Sequence, residues 1–151
     1  MSAINSLGWS ISSAEYEKYI LSQLETDHPF WIILDNEKFV GHICLKWRSE
    51  YTYFLDNSIP EIANLAIMPE YLRKGYANRL MDMAETEARS KSNVVGLGVG
   101  LYKDYGPAQQ LYMNRGYKLD GNGITYASKP VLPGTKVIVD DDLLILMVKN
   151  L

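Results

Sequence analysis

Apolar positions along this chain follow two rhythms, and the two meet at Pro69. Residues 62–68 are a nearly unbroken apolar run, as a buried strand requires. Pro69 ends it, because proline donates no ladder hydrogen bond. Leu72, Tyr76, Leu80 and Met83 then recur at spacings of three and four, which predicts a helix running to about residue 92. Between the two lies the turn Glu70-Tyr71-Leu72-Arg73-Lys74-Gly75. This order points the free N–H groups of a helix N-terminus into a loop. Such a terminus has unpaired donors and a partial positive charge, so it attracts phosphate. Arg73 and Lys74 add charge, while Gly75 and Ala77 let a bulky anion approach the backbone. An ordinary strand–helix turn with two solvated basic residues accounts for the same pattern, and both readings stand at this point.

The remaining elements follow the same two periods. Residues 12–24 read as a helix, with Ser12 and Glu15 as a capping box and Tyr16, Ile20 and Leu24 as one stripe. His28-Pro29 stops it. Residues 30–34 and 39–47 read as strands joined by the polar hairpin turn 35–38. Residues 48–60 read as a polar and aromatic loop. A strand is expected over residues 93–101, a short helix over 104–115 with Pro107 in its first turn and Gly116 at its stop, and a strand over 117–126 broken by Gly121-Asn122-Gly123. A loop over 129–134 and strands at 137–139 and 143–148, separated by a solvated turn of Asp140, Asp141 and Asp142, close the sheet. Within residues 93–101, Gly96, Gly98 and Gly100 share one face of the strand. Three glycines in register leave that face bare, for a ligand or for a tightly packed helix. The stretch lacks the third glycine and the helix start of a dinucleotide fingerprint.

Composition narrows the field. The 151 residues suit one domain, 1–151, and 47% hydrophobic residues provide a core. A net charge of −3 argues against a nucleic-acid binder held by phosphate contacts. The single cysteine, Cys44, excludes a disulfide framework and reads as a buried, inert thiol. His28 and His42 with one cysteine do not make a metal site, so no metal is expected. His42, within a strand, reads as a core residue. No leader pattern and no apolar run of about 20 residues is seen, so a cytoplasmic protein without membrane contact is expected.

Two segments taken together resemble the GNAT superfamily of acetyl-CoA-dependent N-acetyltransferases. They are residues 65–77, LAIMPEYLRKGYA, and residues 105–117, YGPAQQLYMNRGY, about 30 residues apart with a strand between. The resemblance covers residues 30–151. The family's turn has Gln or Arg where Leu72 stands here, and Gly or Ala where Ala77 stands. The second motif often has Asn where Tyr105 stands. The resemblance implies a mixed α+β fold, a three-layer arrangement with a mostly antiparallel twisted sheet splayed between its two middle strands and helices on both faces. The short N-terminal region leaves the first strand of that fold unplaced.

The resemblance also implies chemistry. CoA pyrophosphate would rest on Leu72, Arg73, Lys74, Gly75, Tyr76 and Ala77, with Asn78 near. The pantetheine arm would pair with Leu65, Ala66 and Ile67, and Ala108 and Leu111 would contact the cofactor. Acetyl-CoA is thus the expected co-substrate. Tyr112 matches the tyrosine that protonates the departing sulfur, although a core aromatic on a helix's inner face would look the same. A protonated amine must lose a proton before attack. Glu61, at the start of the central strand, is the expected base acting through water, with a solvated strand end as its plainer reading. Glu50, Tyr53 and Asp56 are candidates for acceptor binding, and Glu50 and Asp56 also compete for the role of base. The expected partner is a small-molecule or peptide primary amine, and the family allows a homodimer. A CoA-binding regulatory module without turnover is the alternative. A family member acting on charged RNA is disfavoured by the acidic balance.

Overall fold

The computed structural model describes residues 28–151, together with Lys18, Leu21 and Ser22, which are helical. The rest of the expected helix 12–24, and the question of a first family strand, lie outside the described residues. Among the described residues seven strands form one sheet: β1 (Phe30–Asp35), β2 (Lys38–Lys46), β3 (Glu61–Ile67), β4 (Val94–Gly100), β5 (Lys118–Tyr126), β6 (Lys129–Pro130) and β7 (Leu143–Asn150). Their order is β1-β2-β3-β4-β7-β5-β6. Every pair is antiparallel except β3–β4. Within residues 28–151 the α-helices are α1 (Thr52–Asp56), α2 (Tyr76–Arg89) and α3 (Gly106–Asn114). This is the mixed αβ fold that the two motifs imply. Among the described residues no helix is long and apolar enough to cross a membrane.

Local chemistry explains most boundaries. The β1–β2 hairpin turns through Asn36 and Glu37, both at positive φ (48° and 68°), as a tight two-residue turn demands. α2 places Leu80, Met81, Ala84 and Ala88 in the main core with Val95, Leu97 and Val99 of β4. On the opposite face of β4, α1 covers Gly96. A Cβ on Gly96 would lie 2.4 Å from the Phe54 ring, so glycine there makes room for that ring. Phe54 is fully buried, in a smaller cluster with Tyr51, Ile59 and Leu146. Helices therefore cover both faces of the sheet.

Six expectations are corrected. The segment 48–60 is not all loop: the Ser49 hydroxyl accepts the Tyr51 N–H at 3.0 Å, and Phe54 anchors the short helix α1 that follows. Residues 137–139 form no strand, and Ile138 and Val139 are exposed, because no neighbouring strand pairs with them. The loop expected at 129–134 begins with β6, which pairs with the end of β5 through Ala127 and Ser128 at positive φ. The acidic turn is not merely solvated. Tyr126 donates to Asp140 at 2.7 Å, and the hydroxyls of Tyr102 and Tyr105 both donate to Asp141. α2 also stops at Arg89, earlier than its pattern suggests, and a single 3-10 turn, Lys103–Tyr105, precedes α3.

Candidate active site

β3 and β4 bond to each other only where they begin, at Glu61–Gly96 and Ile62–Leu97. Beyond that they separate. The gap opens into a cleft of about 490 Å³, within the size range of small-molecule sites. Leu65 and Ile67 of β3 and Gly98 and Val99 of β4 supply its two strand walls. The turn before α2 closes one side, and α3 closes another with Pro107, Ala108, Leu111 and Tyr112.

The turn is shaped by its backbone. Arg73 has φ 61° and Gly75 has φ 85°, and Gly75 is the N-cap of α2. No side chain caps this helix, so the first-turn N–H groups remain available to a ligand. Lys74 lies over the Tyr71 ring at 5.8 Å, and Arg79 over the Tyr76 ring at 5.6 Å. Every residue expected to contact CoA lines the cleft except Ala66 and Lys74. Ala66 is buried and paired with His42 of β2, and Lys74 is exposed on Tyr71.

Tyr112 is buried on the inner face of α3 and lines the cleft. Burial pushes its hydroxyl above the ordinary tyrosine value, so it keeps its proton at neutral pH. Its ring meets that of Tyr117 edge-on at 5.9 Å. α3 is tied to the end of β4 by Gln109, whose side-chain amide donates to the Gly100 carbonyl at 2.8 Å.

Glu61 stands apart from the cleft walls, at the bonded end of β3. It accepts a 2.6 Å hydrogen bond from the Ser49 hydroxyl. Burial raises its carboxyl above the usual range, against the opposing pull of Ser49 and Lys46, and the nearby Glu50 charge raises it further. Glu50, Tyr53 and Asp56 are exposed on or just before α1, and none lines the cleft.

His42 and Cys44 are buried in β2. Burial lowers His42 to about 4 and raises the Cys44 thiol to about 11, so both are neutral at pH 7. The bare glycine face divides three ways. Gly96 receives Phe54, Gly100 receives the Tyr105 ring, and Gly98 alone lines the cleft. Two features went unread in the sequence. Asn64 has φ 57° inside β3, where the register with β2 slips between His42 and Cys44. An asparagine in an otherwise apolar strand is the signal for such a bulge, since asparagine tolerates the left-handed region. Ser49, the partner of Glu61, carried no signal, because twelve residues separate them.

Comparison with known proteins follows the same line. The model of the acetyltransferase (GNAT) family matches residues 3–117. No curated protein matches the chain. A ribosomal-protein-alanine N-acetyltransferase from Brucella melitensis superposes with a TM-score of 0.64 at 14% identity, over 93% of this chain and 80% of that one. An aminoglycoside 6'-N-acetyltransferase complexed with coenzyme A gives 0.63 at 17% identity, over 94% and 81%. The ribosomal-protein-S18-alanine N-acetyltransferase from Escherichia coli gives 0.61 at 18%, over 89% and 76%. At these identities the likeness is one of fold.

Proposed function

The chain belongs to the GNAT acetyltransferase family, and from that premise we propose that it moves an acetyl group from acetyl-CoA directly to a primary amine, both substrates being bound together. The observation that carries this reading is one cleft that joins an unbonded strand edge, an uncapped helix start and a buried tyrosine. The residues fit the co-substrate. The first-turn N–H groups of α2, with Arg73, suit a pyrophosphate. The free edge of β3 at Leu65 and Ile67 suits an amide-bearing arm that pairs as an added strand.

Acetyl-CoA supplies the activated acyl group, and the chain supplies position and protons. A backbone N–H of β3 among Leu65 to Ile67 would donate to the oxygen that gains negative charge during attack. Glu61, with its raised carboxyl, takes the amine's proton through water. Tyr112 donates to the departing sulfur. A thiol normally titrates near ~8.5, and burial holds Tyr112 above the ordinary tyrosine value. Full proton transfer from Tyr112 is therefore uphill, and its first role is a hydrogen bond that stabilises the developing thiolate. Glu50, Tyr53 and Asp56 lie on the Glu61 side and are proposed to meet the acceptor. The acceptor is proposed to be a small-molecule or peptide amine; two of the structural neighbours are named for an aminoglycoside and for the alanine of a ribosomal protein.

The test is thermal unfolding with acetyl-CoA, with CoA and with neither. A ligand at a hundred times its dissociation constant stabilises by about 2.7 kcal/mol, several degrees for a domain of this size. A shift with both, followed by acetylation of a member of an amine panel, is the expected result. A shift without turnover on any amine reduces the protein to a CoA-binding module, and no shift at millimolar ligand removes the reading.

A further inference from the structure

α2 carries Asn78, Asp82 and Glu85 at spacings of four and three, so the three side chains share one face. A single side chain from another element meets all of them. Arg115, the C-cap of α3, donates through Nε to Glu85 at 3.0 Å, through Nη2 to Asp82 at 2.6 Å and through Nη1 to the Asn78 amide oxygen at 2.9 Å. Its planar fork is used along its whole edge, a geometry that lysine's single ammonium cannot reproduce.

The position of this clamp matters. Asn78 lies in the first turn of α2 and lines the cleft. Arg115 follows Asn114, another cleft residue, and its own N–H bonds back to the carbonyls of Leu111 and Tyr112. On the far side, Glu85 is buried and also accepts from Tyr117 at 3.1 Å and from Lys149 at 2.7 Å. One continuous chain of polar contacts therefore runs from the anion-facing turn, through Arg115 and Glu85, to Tyr117, whose ring packs on Tyr112.

We propose that Arg115 is a positioning residue: it fixes the first turn of α2 against α3, and so sets the spacing between the uncapped N–H groups that would hold a pyrophosphate and the tyrosine that would face the sulfur. It touches neither substrate. The consequence for acetyl-CoA rests on the function proposed above, whereas the clamp itself does not.

Two substitutions separate clamping from folding. Arg115→Lys keeps a cation beside Glu85 but cannot serve Asp82 and Asn78 at once. Asp82→Ala removes one leg that is mostly exposed and outside the cleft. Two readouts are taken on the full chain: hydrogen exchange of the Arg79 to Asp82 amides without ligand, and the affinity and KM for acetyl-CoA. The expected result is faster exchange at those amides in both variants, with the later amides of α2 and the melting temperature close to wild type. Arg115→Lys should weaken acetyl-CoA binding roughly ten-fold and Asp82→Ala by a smaller factor, through KM with kcat largely kept. Unchanged exchange in both variants overturns the clamp. Faster exchange with unchanged affinity, where wild type binds acetyl-CoA, overturns its role in spacing the site. Faster exchange in a protein whose wild type binds no acetyl-CoA keeps the clamp and removes the acetyltransferase reading.

Discussion

Where β3 and β4 begin, they are bonded to each other and Phe54 fills the space over Gly96. A few residues further along the same two strands no bond joins them, and Leu65, Ile67, Gly98 and Val99 face a cleft. One end therefore spends its backbone donors and apolar surface on stability, while the other withholds both. Unpaired backbone groups at a sheet edge are a template for a strand-like ligand, and the bonded end holds that edge in place. Substitutions at the two ends should accordingly separate into losses of stability and losses of activity.

The largest effect belongs to the bonded end. Phe54→Ala leaves a ring-sized hole over Gly96 and should cost about 3–5 kcal/mol, read as a shifted urea midpoint. If the midpoint barely moves, α1 does not brace the strand pair. At the open end, Tyr112→Phe removes one hydroxyl and should lower kcat by about a hundred-fold, with a melting temperature near that of wild type. An unchanged kcat at every pH would reduce Tyr112 to a core aromatic. Glu61→Gln crosses the divide, since Glu61 sits at the bonded end but is proposed to serve the open one. It should abolish the ascending acid limb of kcat/KM, a limb that the raised carboxyl of wild type sets above the ordinary glutamate value. Smaller again is Gly75→Ala. With φ at 85°, a Cβ there costs about 1–2 kcal/mol, and CoA affinity should fall because the strain lies in the anion turn.

What the sequence made legible divides along the same line. The strand-to-helix change at Pro69 and the glycine spacing of β4 are local patterns, and both appear where the periodicity puts them. The turn residues 72–78 were readable because a helix start is defined by its neighbours in the chain. Pairings across long separations were not. Ser49 with Glu61, Arg115 with Asn78 and Glu85, and three tyrosines on Asp140 and Asp141 depend on how elements meet. The three glycines illustrate the limit: period two puts them on one face, but only packing decides that Phe54 covers one, Tyr105 another, and that the third faces the cleft. Residues 137–139 show the converse error, because β-branched residues make a strand only where a partner strand exists.

Two glutamates, Glu61 half-buried and Glu85 buried, offer the finest test of the comparison, since they respond to pH in opposite senses. Burial raises Glu61, so between the ordinary glutamate value and its own the folded protein holds a proton that the unfolded chain has released. The stability this gives is fully present below the ordinary value and is lost as pH rises through the raised one. Glu85 is the reverse. Burial alone would raise it, but the hydrogen bonds and charges of Arg115 and Lys149 outweigh burial and hold it low. Its contribution is present above the ordinary value and is lost as pH falls through the lowered one. Urea midpoints measured from acid to neutral pH should therefore fall away on both sides of the ordinary glutamate value, and Glu61→Gln should remove only the loss on the neutral side. If wild type shows no loss there, Glu61 ionises as it would in water. It would then be charged well below neutral pH like any surface glutamate, and the case for its being built as a base would fall with it.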